Sequence, residues 1–490
     1  MISQYLRLAP RRLQGPLSSY YYPLTLHRES IICVRSFSNS GDLSPLVLFD
    51  SLSGSNKIVG SDSKKSTDGL SENKGWAWYT CGPTVYDAAH LGHARTYVTL
   101  DIFRRLLLQQ HSQSRKVPPV FIMNITNVDD KILERAKELN VSALDLASKY
   151  EIEFWQDLKA LNVMKPTIIT RVTDHVENAI LPFIERLIEN KFAYISQSSV
   201  YFDVRSFEES SKQGHKYGKL APPAQTTDFF SSDDSITTNL HDKRDVRDFV
   251  LWKGRAEGEE ELVWNSPWGL GRPGWHIECS AMIEYTMKHL LPNYDILVHA
   301  GGVDLQFPHH TNEIAQSEAY NSCCKLDNNT STGEWIPHWV HTGHLHIKGR
   351  KMSKSLKNFI TIREMLGGEK ESGEGLSSPS DDFRLWCLCL SGSYRDSTTY
   401  SDDIMRQSKA IRGQIVRFLL DGEHWIHTNE KRLQGSWGDE EMKLFDALQN
   451  FIVSSNRALF GSVEKGMAIL YNLRLYSCPP PFFYILNKLY

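Results

Sequence analysis

Trp76 to Cys81 forms a short continuous apolar run, and Val120 to Ile125 forms a second. Between them, Leu91 to Gln110 places Ala94, Val98, Phe103 and Leu106 or Leu107 at helical spacing. The pattern predicts a strand, a helix and a strand. Such a unit is normally right-handed and parallel, with its ligand site beyond the carboxyl ends of the strands, where Cys81 and its successors would sit. From Asp130 to about Phe192 the pattern is mostly helical, and a Ser/Asp/Thr-rich stretch around Gln225 to Asn239 then reads as part of an insertion. Strand-like runs return at Tyr294 to His299 and Trp339 to Thr342, interleaved with a helix from about Pro308 to Tyr320. The expected fold class is therefore α/β. A doubly wound parallel sheet is split in two by an inserted α-rich domain. A C-terminal helical region follows, with segments at Ile404 to Leu420 and Glu440 to Phe460.

Length divides this picture into units, because 490 residues exceed what one compact core organises. No apolar run is long enough to cross a bilayer as a helix. The net charge of -3 gives no global pull on nucleic acid, so any RNA contact must come from local basic patches. Eight scattered cysteines are too sparse for a disulfide scaffold and suit a reducing compartment. The first 41 residues carry Arg7, Arg11, Arg12, Arg28 and Arg35 against the single acid Glu29, the composition of an organellar presequence. Residues 1–40 are read as that presequence, with mitochondrial import expected; a basic arm on a cytoplasmic protein has the same composition. Residues 41–74, rich in Ser, Gly, Asp and Lys, read as a linker.

Candidate chemistry begins at His90-Leu91-Gly92-His93, where the first strand gives way to its helix. Two imidazoles three residues apart share one face near a helix N-terminus, which attracts phosphate, and Gly92 has no side chain to hold a base or ribose away. Alone, the tetrapeptide equally suits a pair of capping histidines. A second element, Lys351-Met352-Ser353-Lys354-Ser355, lies in a basic loop after the second half of the sheet. Lysines on such a loop can close on a triphosphate and neutralise charge as pyrophosphate leaves. Alone, it is a surface charge run. Together and in this order, the two resemble the paired signatures of class I aminoacyl-tRNA synthetases, whose nucleotide-binding sheet is Rossmann-like.

Within that class, Tyr79-Thr80-Cys81-Gly82-Pro83-Thr84-Val85-Tyr86-Asp87 resembles the cysteinyl-tRNA synthetase family. So do Asn124 to Lys131, Lys243-Arg244-Asp245 with Phe249 to Lys253, Gly271 to Met282, and Gly301 to Gln316, in the same order. The resemblance runs from about Gly75 to Ser401. It implies a first catalytic half at 75–130, an inserted connective domain at 131–245, and a second half at 246–360 ending in the basic loop. A stem-contact region at 361–415 and a partial helical anticodon-binding domain at 416–490 would follow. The last residues, with Cys478-Pro479-Pro480-Pro481, do not read as the rest of such a bundle.

The resemblance implies one zinc ion held by Cys81, Cys279, His309 and Glu313. The residue chemistry agrees: these are acceptable zinc ligands, and His309 and Glu313 stand at i and i+4 on the helix that Pro308 could start. On that helix His310 is expected to point elsewhere. Cys81 or Cys279 taken singly would read as a small buried hydrophobe. A metal suits the task because serine and cysteine differ by one atom. Shape separates small side chains by only about 1 to 3 kcal/mol, whereas translation needs roughly 10⁴ to 10⁵, or about 5.5 to 7 kcal/mol. A borderline-soft ion that ionises a thiol supplies the difference, with the substrate sulfur expected as an additional ligand. The resemblance also places Trp275, His276 and His299 around the amino-acid pocket and Asp304 near ATP. Core packing, satisfied histidines and a helix cap are the structural alternatives for these four.

The implied reaction activates L-cysteine with ATP and transfers it to tRNA-Cys. His90, His93, Lys351 and Lys354 stabilise charge, His90, Gly92, His93, Asp304 and Lys354 contact ATP, and Mg²⁺ accompanies the nucleotide. A monomer in the mitochondrial matrix, without membrane attachment, is expected. Two other readings stay open: a ligase passing the same activated cysteine to a small amine, and a truncated tRNA-binding protein without catalysis.

Overall fold

The computed structural model describes residues 46–59, 75–114, 117–210, 215–222, 242–258, 260–322, 335–347, 350–351, 359–367 and 379–428. Its centre is a five-stranded, wholly parallel sheet. In chain order the strands are β3 (Gly75–Thr80), β4 (Val120–Ile125), β5 (Ile168–Arg171), β10 (Tyr294–Gly302) and β11 (His338–Thr342), laid side by side as β11-β10-β3-β4-β5. β3 and β4 are buried at every position, as strands covered on both faces must be. Helix α1 (Leu91–Ser114) follows β3 directly. The strand order reverses between β3 and β10, so the ligand crevice of a doubly wound sheet falls beyond Thr80 and Gly302.

Two boundaries differ from the sequence reading. β5 pairs with β4, so the chain stays in the central sheet well beyond residue 131. Four residues after Lys165-Pro166 are too short a run to stand out within a helical stretch. Conversely, β8 (Phe249–Gly254) and β9 (Gly271–Pro273) join the hairpin β6 (Ala193–Ser196) and β7 (Ser199–Phe202) in an antiparallel sheet. By sheet membership the insertion spans Ala193–Pro273 rather than 131–245, and it carries a four-stranded sheet where an α-rich domain is expected. Asp130, at the start of α2 (Asp130–Leu139), pins it to the core by accepting from Arg272 and Lys253.

The expected linker also folds in part. β1 (Val47–Asp50) and β2 (Ser55–Ile58) form a hairpin whose Leu46, Leu48 and Val59 enter a core with Trp76 and Trp78. Polar composition conceals the alternation Leu46, Leu48, Asp50, all of them buried. Asp50 holds the intervening turn by accepting from Ser53 N–H and pairs with Lys57. Burial alone would raise its carboxyl, but Lys57 and the N–H donors hold it below the usual carboxylate range.

After β11 come β12 (Leu345–Ile347), β13 (Arg350–Lys351) and β14 (Thr398–Tyr400) in a small sheet, then the long helix α10 (Asp402–Thr428), where Ile404 to Leu420 is expected helical. Residues 1–40, expected to be a presequence, and Glu440 to Phe460 lie outside the described residues. Among the described residues no helix is long and apolar enough to cross a membrane.

Candidate metal centre and nucleotide site

Three elements converge at the switch point. Cys81 leaves β3. Cys279 lies on α6 (Trp275–His289). Glu313 is in the first turn of α7 (Thr311–Asn321), with His309 four residues before it. All four side chains are buried, and their donor atoms lie within 4.8 Å of one another. Cys81 Sγ is 3.6 Å from Cys279 Sγ and 3.8 Å from Glu313 Oε1, and His309 Nε2 is 3.0 Å from the same oxygen. Ligands at ordinary Zn–S, Zn–N and Zn–O distances in a tetrahedron stand about 3.4 to 3.8 Å apart. The set has the spacing and chemistry of a metal site.

The electrostatics agree. Burial raises the Cys81 thiol well above its ordinary value, and Cys279 and Glu313 beside it push the same way. Burial opposes ionisation of Cys279 too, but Cys81 and His309 bring it down to about 6. Glu313 falls to about 2 despite burial, because His299 and His309 favour its charge, and His309 rises to about 10 between Glu313 and Cys279. Acidic ligands bunched around one imidazole in a dry site are poised for a cation.

Trp275, His276 and His299, expected around the amino-acid pocket, each touch a member of the cluster. Trp275 stacks on His309, ring centroids 4.4 Å apart and 19° from parallel. His276 Nδ1 is 3.2 Å from His309 Nδ1. His299 Nε2 is 2.9 Å from Glu313 Oε2, and Trp339 stacks on its ring at 4.5 Å. His310 departs from expectation, because its Nε2 lies 3.3 Å from Cys81 Sγ. The helix proper starts at Thr311, and residues 306–310 make a wider turn containing the extended Phe307, so regular helical offsets do not separate the two histidines. A second overlapping set, Cys81, His299, His310 and Glu313, results. It has one thiolate instead of two and less suits a thiophilic ion, so the first set is the better site. The doublet His309-His310 and the alternation Trp339, His341 were the signals for this second ring of groups.

At the start of α1, His90 and His93 stack with centroids 3.8 Å apart and 6° from parallel. Each Nδ1 faces the other residue's backbone N–H at 3.3 Å. The chain beyond the basic loop returns here: Leu91 N–H donates to Ile360 O, Ile362 N–H donates to Ala89 O, and Phe359 stands edge-on to His90. Gly92 is half-buried, and Asp304 is exposed with its carboxylate folded over Gly302, near Thr96 of α1. Lys351 ends β13, and residues 352–358, with Lys354, lie outside the described residues.

A buried thiol–imidazole–carboxylate cluster thus sits at the switch point of a parallel sheet that an insertion divides. Residues 68–410 match the family described as tRNA synthetases class I (C) catalytic domain, and the chain belongs to that family. It is 41% identical over 377 residues to the cytoplasmic cysteine–tRNA ligase of Dictyostelium discoideum, covering 76% of this chain and 52% of that protein. It is 44% identical to the Xenopus tropicalis protein named "Probable cysteine--tRNA ligase, mitochondrial", covering 71% and 54%. With the cysteine–tRNA ligase of Methanococcus vannielii it shares 39% over 79% of this chain and 72% of that one. The chain spans about half the length of the first two relatives. A Mycobacterium tuberculosis methionyl-tRNA synthetase has the same fold, with a TM-score of 0.56 at 16% identity over 82% of each chain.

Proposed function

We propose that the chain joins L-cysteine to tRNA-Cys at the expense of ATP, and that Cys81, Cys279, His309 and Glu313 hold one zinc ion that reads the substrate thiol. The four-ligand cluster at the switch point carries this reading. When bound, zinc supplies a borderline-soft centre that takes a thiolate and holds a neutral hydroxyl poorly. The chain's residues do the rest. Trp275 and His276 fix the His309 ring, and His299 donates to the Glu313 oxygen that does not face His309. The half-buried Trp275 face excludes water from the amino-acid side chain. His90 and His93 hold the phosphates at the start of α1, with Gly92 and Asp304 toward the nucleoside and Mg²⁺ on the phosphates. The cysteine carboxylate attacks the α-phosphorus and pyrophosphate leaves, its charge neutralised by Lys351 and Lys354; the tRNA terminal hydroxyl then takes the acyl group and AMP leaves. The relatives include cytoplasmic and mitochondrial proteins, and the Arg-rich opening residues support the mitochondrial matrix.

The experiment is cysteine-dependent pyrophosphate exchange, with zinc content measured on the same sample and tRNA-Cys charging alongside. Exchange with cysteine but not serine, lost with the metal in Cys279→Ser, is expected. Exchange retained in a metal-free Cys279→Ser chain overturns the zinc role, and absent exchange in the zinc-loaded wild type overturns the activity.

A further inference from the structure

The hairpin that precedes the catalytic core does more than cover a sheet edge. Its turn docks on β11, where Ser51 N–H donates to Trp339 O, Trp339 N–H donates to Asp50 Oδ1, and Lys57 Nζ donates to Pro337 O. From that turn a line of polar contacts runs inward. Ser51 Oγ is 2.8 Å from His341 Nδ1, His341 Nε2 is 2.8 Å from His310 Nδ1, and His310 Nε2 is 3.3 Å from Cys81 Sγ. Both imidazoles are buried, and each spans the gap with both of its nitrogens.

The polarity of this line follows from its inner end. A metal-bound cysteine sulfur is a thiolate and can only accept. His310 must then carry its proton on Nε2, which leaves Nδ1 as an acceptor. His341 must donate from Nε2, so its own Nδ1 accepts, and among the described residues the Ser51 hydroxyl is placed to donate there. One thiolate thus fixes two tautomers and one hydroxyl rotor. The relation is reciprocal: a serine hydroxyl held in place by β11 selects the tautomers that present an N–H to Cys81. Ligand orientation through such outer hydrogen bonds is a general property of metal sites.

We propose that Ser51, His341 and His310 form a one-way hydrogen-bond relay that positions the Cys81 thiolate, making the hairpin before the core a structural part of the metal centre. The proposal rests on the reading of Cys81 as a metal ligand. The three are positioning residues: none is required to touch substrate, and their effect passes through Cys81.

The test uses the full chain as wild type, His310→Leu, His310→Gln and Ser51→Ala. Zinc affinity is read by competition with a chromophoric chelator, and the cobalt(II)-substituted protein is read by its thiolate-to-metal absorption in the near ultraviolet. His310→Leu should weaken zinc binding by about 10- to 100-fold. It should also move the cobalt band to longer wavelength, because a sulfur without its N–H donor holds its electrons less tightly. His310→Gln keeps an N–H near the position of Nε2 and should restore both readings to within about threefold of wild type. Ser51→Ala removes one neutral hydrogen bond at the far end and should cost about two- to tenfold, with the same direction of shift. Unchanged affinity and band in His310→Leu, or a glutamine variant no better than leucine, overturns the relay. If the leucine variant does not fold, Ser51→Ala decides, and unchanged readings there overturn the proposal. A wild type that takes up neither zinc nor cobalt removes the metal centre and the relay with it, whereas a metal-loaded wild type with indifferent variants removes the relay alone.

Discussion

Arg95, two residues after His93, should be the residue whose loss most damages the proposed nucleotide site while sparing the proposed metal centre. It is 1% exposed. Its guanidinium donates to the carbonyls of Gly343 at 2.6 Å, His344 at 2.8 Å and Asp396 at 2.7 Å, with Tyr394 O at 3.5 Å as a marginal fourth. The side chain therefore ties α1 to the turn between β11 and β12, and to the segment before β14. No side chain fits at Gly343, because a Cβ would lie 2.3 Å from the carbonyls of Arg395 and Asp396. Consider Arg95→Met, which keeps the apolar stem. His344 O retains the Thr398 N–H and Tyr394 O retains the Gly343 N–H, so Gly343 O and Asp396 O are the carbonyls that lose a donor. Gly343 is buried, and its carbonyl left unpaired costs about 1 to 3 kcal/mol; Asp396 is exposed, so its carbonyl turns to water and loses only a net hydrogen bond of about 0.5 to 1.5 kcal/mol, which puts the pair at about 1.5 to 4.5 kcal/mol. The burial cost of the guanidinium disappears with it and offsets part of this, so about 1 to 3 kcal/mol is expected. Urea unfolding of wild type and variant, compared at unchanged slope, measures the loss. The KM for ATP should rise, since the displaced turn leads into β13 and Lys351, while zinc content should stay at the wild-type value. A stability loss under about 1 kcal/mol, or zinc lost before ATP affinity, would refute the reasoning.

Two further outcomes follow from the ligand cluster. A Cβ at Gly82 would sit 1.6 Å from the backbone oxygen of Asn124, so Gly82→Ala must part the ends of β3 and β4 beside Cys81. We expect about 1 to 3 kcal/mol of destabilisation with most of the bound zinc lost, and a variant that keeps its zinc and its melting point would show that the strands part freely. In the metal-free protein His309, raised to about 10, and Cys81, raised by burial, both hold protons at neutral pH, whereas Cys279 at about 6 and Glu313 at about 2 do not. Metal uptake between about pH 7 and 9 should therefore release about two protons, and affinity should climb roughly 100-fold per pH unit, flattening as pH passes the raised value of His309. Calorimetry in buffers of different ionisation enthalpy counts those protons; fewer than about one would contradict the charge assignment.

The parts of this protein legible in its sequence are those where local pattern and tertiary role coincide. β3 and β4 stand out because strands buried on both faces are nearly continuous apolar runs, and α1 because its apolar positions recur at helical spacing. Cys81, Cys279, His309 and Glu313 stand out because thiolate, imidazole and carboxylate occur in ordered blocks, and the structure brings all four together. What stayed hidden depends on partners distant in the chain. β5 is four residues long, and only its register with Ile122 to Ile125 makes it a core strand. The hairpin at Val47–Ile58 reads as linker because its strands alternate over four residues each, and what holds it is Tyr394, Trp339 and Pro337, some 280 to 345 residues away. His310 lies against Cys81 rather than pointing elsewhere because residues 306–310 make a wider turn, to which the geometry of a helix starting at Pro308 does not apply. These cases share a cause. Each hidden element satisfies its polar groups through distant residues, as Asp50 does through Trp339 N–H and as His310 does through His341 and Cys81. A charged or polar residue in a seemingly loose segment is therefore read correctly only when its buried partner is known, and in this chain those partners lie in β11 and the buried cluster around Cys81.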